Sequence, residues 1–302
     1  MLSRGLGEKA EFTGYHPLVN FIYFVLVAGI TMFSMAPLFL AAAFIGAWVY
    51  SLLLKGRAAL KMNLTLSIAM VLIMVLINML FNNNGATALF YIGDSRITLE
   101  SMGYGLAGGV MLASVVIWFS CFNVIITSDK LIYLFGKTAP VLGLTLSMIF
   151  RFIPLLQSRF AEISLGQKCM GRSHSSGSLL QRGRQLTKEI SILVAWSLEA
   201  SIESADSMEA RGYGLRGRTS FHLFQFSARD GAALAVMIAA AVPAIGAVFT
   251  GRTDMYFYPV MVWPETDPLT AAALGGFAVL ILIPIIIDIA GELKWKQFDL
   301  NT

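Results

Sequence analysis

Two short arginine-bearing stretches offer the chemistry most readily read from this chain. One is "GQKCMGRSHSSG", with Gly171-Arg172-Ser173 at its centre, and the other is "ADSMEARGYG", with Ala210-Arg211-Gly212. In each, a run with helical character ends on a glycine beside an arginine. A glycine just past the last helical residue is a C-cap signal, and a cation in the last turn suits the partial negative charge of a helix end. Two capped helices with ordinary terminal arginines would satisfy that local physics. A guanidinium at a helix tip is equally suited to bidentate pairing with a carboxylate on another protein. Two such tips on one side of a membrane would make a two-point docking surface.

The run before Arg211 adds to the second possibility. Ser197, Ala200, Ser201, Ser204 and Ala205 are small residues that let another helix cross closely, while Glu199, Glu203, Asp206 and Glu209 supply a polar surface.

Chemistry of other kinds finds no foothold. The chain has no G-x-x-x-x-G-K-[ST], no G-x-S-x-G and no H-E-x-x-H, so no P-loop nucleotide site, nucleophile elbow or zincin site is expected. No catalytic residue, metal site, cofactor or nucleic-acid partner is assigned. The two cysteines, Cys121 and Cys169, are too few and too scattered for a disulfide framework or a zinc site. His16, His174 and His222 lack metal-ligand spacing. Ionisable groups inside apolar runs mark proton and ion pathways. Here only Glu100 and Asp288 fall in or near one, and Asp288, followed by Lys294 and Lys296, reads as an interfacial residue.

The elements that must hold these tips are mostly greasy. Of the 302 residues, 57% are apolar and 13% charged, and the mean hydropathy is +0.72. Soluble domains carry about 25% charged residues, so the composition argues for a polytopic membrane protein. Phe12 to Leu54 contains no Asp, Glu, Lys or Arg. That is too long for one crossing of a core about 30 Å thick, and Pro37 divides it. Spans are predicted at about 18–35, 37–54, 63–81, 99–126, 230–249 and 270–289. The asparagines Asn78, Asn82, Asn83 and Asn84 read as a helix end and turn. Gly105 and Gly109 form a small-xxx-small pair for close helix contact. The glutamates Glu8 and Glu11 interrupt the start, so no cleavable signal peptide is expected.

Residues 128–229 differ. Leu146, Ile149, Phe150 and Ile153, and then Ile190, Leu193, Val194 and Leu198, recur at helical spacing among many charges. They predict amphipathic helices rather than spans, divided by the polar linker "SHSSGSLLQRGRQ". With six spans and a cytoplasmic N-terminus, twenty of the 22 Lys and Arg fall on the cytoplasmic side, leaving Arg96 and Arg252 outside.

At these residues the chain resembles a known family. The paired X-Arg-X motifs, the second reading "EARGYG", are similar to those of the transmembrane T component of energy-coupling factor (ECF) transporters, the CbiQ/EcfT family. "YHPLVNFIYF" (Tyr15–Phe24) resembles that family's approach to its first helix, and "NMLFNNNGATALFYIGDSRITLESMGYGLAGGVML" (Asn78–Leu112) its loop and fourth span. The first motif, Gly-Arg-Ser, departs from the common Ala-Arg-Gly. The resemblance implies a subunit in the cell membrane of a prokaryote. Two P-loop ATPase subunits would dock through Gly171, Arg172, Ser173, Ala210, Arg211 and Gly212. A small membrane protein, the S component, would bind a vitamin or transition-metal ion. ATP would be hydrolysed in the partners, and this chain would catalyse nothing.

The expected fold class is therefore all-α. A block of four spans (1–127) is followed by a cytoplasmic coupling-helix module (128–228) and two further spans (229–302). A self-contained ABC-type permease, a membrane-embedded enzyme and a non-transport scaffold are the competing readings. A permease needs a polar cavity within the spans, and an enzyme needs a nucleophile or metal set at one depth; the residues for either are scarce. The loop "MYFYPVMVWPE" reads as an interfacial aromatic belt.

Overall fold

The computed structural model describes residues 10–82, 84–92, 95–138, 140–171, 178–213, 215, 224–263 and 267–299. Among them are nine α-helices and one two-stranded sheet: α1 (Pro17–Met32), α2 (Pro37–Lys55), α3 (Arg57–Phe81), β1 (Ala88–Ile92), β2 (Ser95–Thr98), α4 (Leu99–Ile125), α5 (Ser128–Thr138), α6 (Pro140–Cys169), α7 (Leu179–Ala210), α8 (Ala228–Phe249) and α9 (Pro268–Asp299). The chain is an all-α polytopic membrane protein by this architecture. It divides into two compact units, Met1–Thr127 with Phe224–Thr302, and Ser128–Leu223.

In the first unit, proline sets the breaks in the long apolar run. Pro17 and Pro37 each stand in the first turn of a helix, where the missing N–H costs nothing. His16 caps α1 by accepting the Leu18 N–H at its Nδ1, 3.2 Å away. The core gathers around Trp118, Tyr23, Tyr50, Phe12 and Phe277, all fully buried, with the Trp118 indole donating to the Ala43 carbonyl at 3.3 Å. Helices α3 and α4 meet backbone to backbone. A methyl on Gly105 would lie 2.8 Å from the Val75 Cα, and one on Gly109 would lie 2.6 Å from the Val71 Cα. This is the close contact that small-xxx-small spacing provides.

Among the described residues, six helices are long and apolar enough to cross a membrane: α2, α3, α4, Val141–Cys169 within α6, α8 and Pro268–Lys294 within α9. The number equals the sequence expectation, but the set differs. Helix α1 has only 16 residues, about 24 Å against a core of about 30 Å. Helix α6 qualifies by length and composition, because Arg151 is the only charge in its first half. The same residues that give it helical periodicity also form an apolar run, so length and composition alone place α6 among the candidate spans, whereas the sequence reading places it among the amphipathic helices of 128–229.

Asp288 also differs from expectation. It lies well inside α9 and is 1% exposed. Its Oδ1 accepts the Phe12 backbone N–H at 2.7 Å and its Oδ2 the Tyr50 hydroxyl at 3.2 Å. It therefore fastens the 3₁₀ turn Glu11–Gly14 to two spans rather than facing an interface. Removing an acceptor from buried donors costs about 1–3 kcal/mol. Asp288→Ala should lower the thermal midpoint in detergent, while Asp288→Asn, which keeps an acceptor oxygen, should stay near wild type. Equal midpoints for the two variants would contradict the fastening role.

The start of α8 is stitched to the same segment. Ser227 and Asp230 form a capping box, and the Asp230 carboxylate also accepts the His16 N–H at 3.1 Å. The Arg229 guanidinium sits 4.2 Å over the Tyr15 ring.

The aromatic loop after α8 is folded rather than a simple belt. The Met35 and Ala36 N–H groups donate to the Thr253 carbonyl at 3.1 and 2.8 Å, Ala86 donates to Pro259 at 3.1 Å, and Asn82 Nδ2 donates to the Tyr258 hydroxyl at 2.7 Å. Met255 and Phe257 are buried in a small second core with Leu40 and Ala107. Burial first, then the nearby Tyr104 and Glu100, push the Tyr258 pKa up, so its hydroxyl stays protonated. Tyr256 and Trp263 stay exposed.

Candidate functional site

The arginine-bearing tips belong to the second unit, built from α5, α6 and α7. Helix α7 begins with a reciprocal capping box: Gln181 donates its N–H to Ser178 Oγ at 3.5 Å and accepts the Ser178 N–H at 3.2 Å. It then runs for 32 residues, about 48 Å. Helix α6 runs for 30. The two are antiparallel. Gln185 Nε2 donates to Gln167 Oε1 at 3.1 Å, and further on the Arg159 guanidinium lies 5.2 Å over the Trp196 ring. Arg159 is also paired with Glu162 at 2.7 Å. Between α5 and α6 a methyl on Gly143 would strike the Gly136 backbone, whereas one on Gly136 would lie an ordinary 3.5 Å from the Gly143 Cα, so glycine is needed on the α6 side of that crossing. The three contacts between helices are not visible in the sequence, since each joins residues with no motif of their own; only the Arg159–Glu162 pair follows from helical spacing.

Each tip ends in a cap that only glycine supplies at low cost. Gly171 has φ +75° and Gly212 φ +76°, a region that penalises other residues. At α7 the Gly212 N–H reaches the Glu209 carbonyl at 2.9 Å and the Tyr213 N–H the Met208 carbonyl at 3.0 Å. That is a complete Schellman motif. Arg211 is the C-cap residue, with φ −84°, and its side chain is exposed beside the exposed Ala210. Its guanidinium has no ion-pair partner among the described residues. Gly171 is exposed as well; Arg172 and Ser173 lie outside the described residues.

Because α6 and α7 are antiparallel, the two caps stand at opposite ends of the pair and are not brought together. A site built on both tips therefore has two separated contacts rather than one pocket. On α7, Ser197 and Ala200 are half-buried, while Ser201, Ser204 and Ala205 are exposed. The serine hydroxyls turn inward. Ser197 donates to the Val194 carbonyl at 2.8 Å, Ser201 to Ser197 at 2.6 Å and Ser204 to Ala200 at 2.7 Å. The carboxylates Glu199, Glu203, Asp206 and Glu209 are exposed on the same helix. Among the described residues, no three His, Cys, Asp or Glu side chains are placed to hold a metal ion.

No protein-family model matches the chain. Curated relatives do. The energy-coupling factor transporter transmembrane protein EcfT of Streptococcus equi subsp. equi is 29% identical over 171 residues, covering 52% of this chain and 63% of the relative. The protein of the same name from Streptococcus thermophilus is 29% identical over 184 residues, covering 56% and 68%. That of Bacillus selenitireducens is 35% identical over 111 residues, covering 36% and 41%. The first and third matches span less than two thirds of the relative's own length.

Proposed function

This chain is a homologue of the transmembrane T components of energy-coupling factor transporters, and from that kinship we propose that it is the coupling subunit of an ATP-driven importer. Two cytoplasmic P-loop ATPase subunits dock on the tips of α6 and α7, and a small membrane S component binds the substrate, a vitamin or a transition-metal ion. The chain lies in the cell membrane of a prokaryote, with its N-terminus and residues 128–228 on the cytoplasmic side, where the short-loop Lys and Arg accumulate. It carries no catalytic group of its own; ATP is hydrolysed in the partners.

One observation carries the reading. Arg211 ends a 32-residue helix with its side chain exposed, and the cap of α6 stands at the other end of the antiparallel pair. Docking residues separated along two stiff helices match two ATPase subunits side by side. Closure of the ATPases then moves both ends of one lever. The small residues Ser197, Ala200, Ser201, Ser204 and Ala205 give a second helix room to cross that lever, and substrate choice belongs to the S component.

The test is an affinity pull-down of the intact chain from mild detergent, with mass spectrometry of what accompanies it. Two P-loop ATPase subunits and a small hydrophobic protein are expected. Recovery of the chain alone in several detergents would favour a self-contained permease or a scaffold.

A further inference from the structure

The turn between α2 and α3 carries three cations, and the protein settles only one of them. Gly56 adopts φ +63°, a region open to glycine, and reverses the chain between the two helices. Lys55, just before it, is half-buried and donates its Nζ proton to the Ser120 Oγ of α4. Arg57 and Lys61, just after it, are exposed and have no ion-pair partner among the described residues. From Phe12 to Gly93 the sequence holds no Asp or Glu, so no carboxylate on α1, α2 or α3 answers them. The two charges head one face of α3. At spacings of three and four residues that face continues through Leu64, Ile68 and Leu72, all exposed. The buried side chains of the helix, Ala59, Asn63 and Ser67, follow a different stripe, and α3 is the least covered span of the first unit. Leu64 to Leu72 covers about 12 Å, which falls within one leaflet's half of a core about 30 Å thick.

We propose that this face of α3 binds an anionic phospholipid, with the phosphate between Arg57 and Lys61 and one acyl chain along Leu64, Ile68 and Leu72. Two unanswered cations at the head of an apolar stripe one leaflet long complement a molecule with one anionic group and a hydrocarbon tail. Long basic side chains at the end of a span reach the headgroup level while their stems stay in apolar surroundings. The guanidinium can pair with two phosphate oxygens at once, and the ammonium adds a point charge. A zwitterionic lipid brings its own cation beside the phosphate and gains less from the pair, so selection follows headgroup charge. The site does not depend on the docking of ATPases.

The experiment places the intact chain in phosphatidylcholine nanodiscs doped with phosphatidylglycerol that carries a photoactivatable diazirine in one acyl chain. Adducts are mapped by peptide mass spectrometry. They are expected on the Leu64, Ile68 and Leu72 face, about tenfold or more above those given by the same diazirine on phosphatidylcholine. Arg57→Gln with Lys61→Gln should abolish that preference. Arg57→Lys with Lys61→Arg, which keeps both charges, should retain most of it. Excess glycerol phosphate should not compete, because it lacks the tail; full competition would assign the cations to a soluble phosphate and overturn the lipid site. Equal labelling by the two probes, adducts confined to other helices, or an unchanged preference in the glutamine pair would each overturn it as well. The wild-type comparison of the two probes decides the proposal even where the glutamine pair does not assemble.

Discussion

Arg211→Glu is expected to strip the ATPases from the purified complex while the membrane part stays folded. The reason lies in what the side chain does and does not touch. It is exposed, with no ion-pair partner among the described residues, and the α7 cap is made by backbone groups of Arg211, Gly212 and Tyr213 that the substitution leaves in place. Surface changes of this kind usually shift stability by less than about 0.5 kcal/mol. Truncating one partner of a buried charge pair in an interface costs about 2–5 kcal/mol, and on the docking reading proposed above glutamate would add repulsion against the carboxylate that receives the guanidinium. At about 1.4 kcal/mol per decade, the loss in affinity is about thirtyfold at the least. Two measurements decide it: the ATPase recovered with the chain, and the thermal midpoint of the chain itself. Unchanged recovery would remove Arg211 from the docking surface. A collapsed midpoint would show that the residue serves the fold.

The second large effect is expected at the α3–α4 contact. Gly105→Leu with Gly109→Leu should prevent the first unit from assembling, seen as aggregation on size exclusion and a poor yield of monodisperse protein. Overpacking usually costs about 1–3 kcal/mol per site. Here the added atoms meet the Val75 and Val71 backbone at 2.8 and 2.6 Å rather than the end of a pliable side chain, so the helices themselves must separate. Gly246→Ala is the matched control. Nothing lies within 4 Å of a methyl there, and alanine is the better helix former by about 0.5–1 kcal/mol. A double-leucine variant as well behaved as the control would mean that α3 and α4 do not pack through these glycines.

Both sites were legible in sequence for a common reason: glycine and proline act locally. Pro37 marked the break between α1 and α2, the glycine pair marked the close crossing, and Gly212 marked the end of α7. What stayed hidden depends on residues far apart in the chain. Asp288 reads as interfacial until its partner, Phe12, is seen to come from the opposite end of the sequence. The loop after α8 reads as a belt because its ties to Asn82 and Ala86 follow no spacing rule. Helix α6 satisfies two patterns at once, an amphipathic period and an apolar run, and periodicity alone cannot choose between them.

The inward-turned serines of α7 bear on friction. Ser197, Ser201 and Ser204 have each committed their proton to a carbonyl of their own helix. A crossing helix therefore meets no serine O–H left to donate along this stretch, only hydroxyl oxygens that can still accept. Free hydroxyls in the same places would act as latches, each holding one register until it was broken. As folded, the serines of this stretch supply no donor latch, and the polar groups left to meet a neighbour are the exposed carboxylates Glu199 and Glu203 beside them.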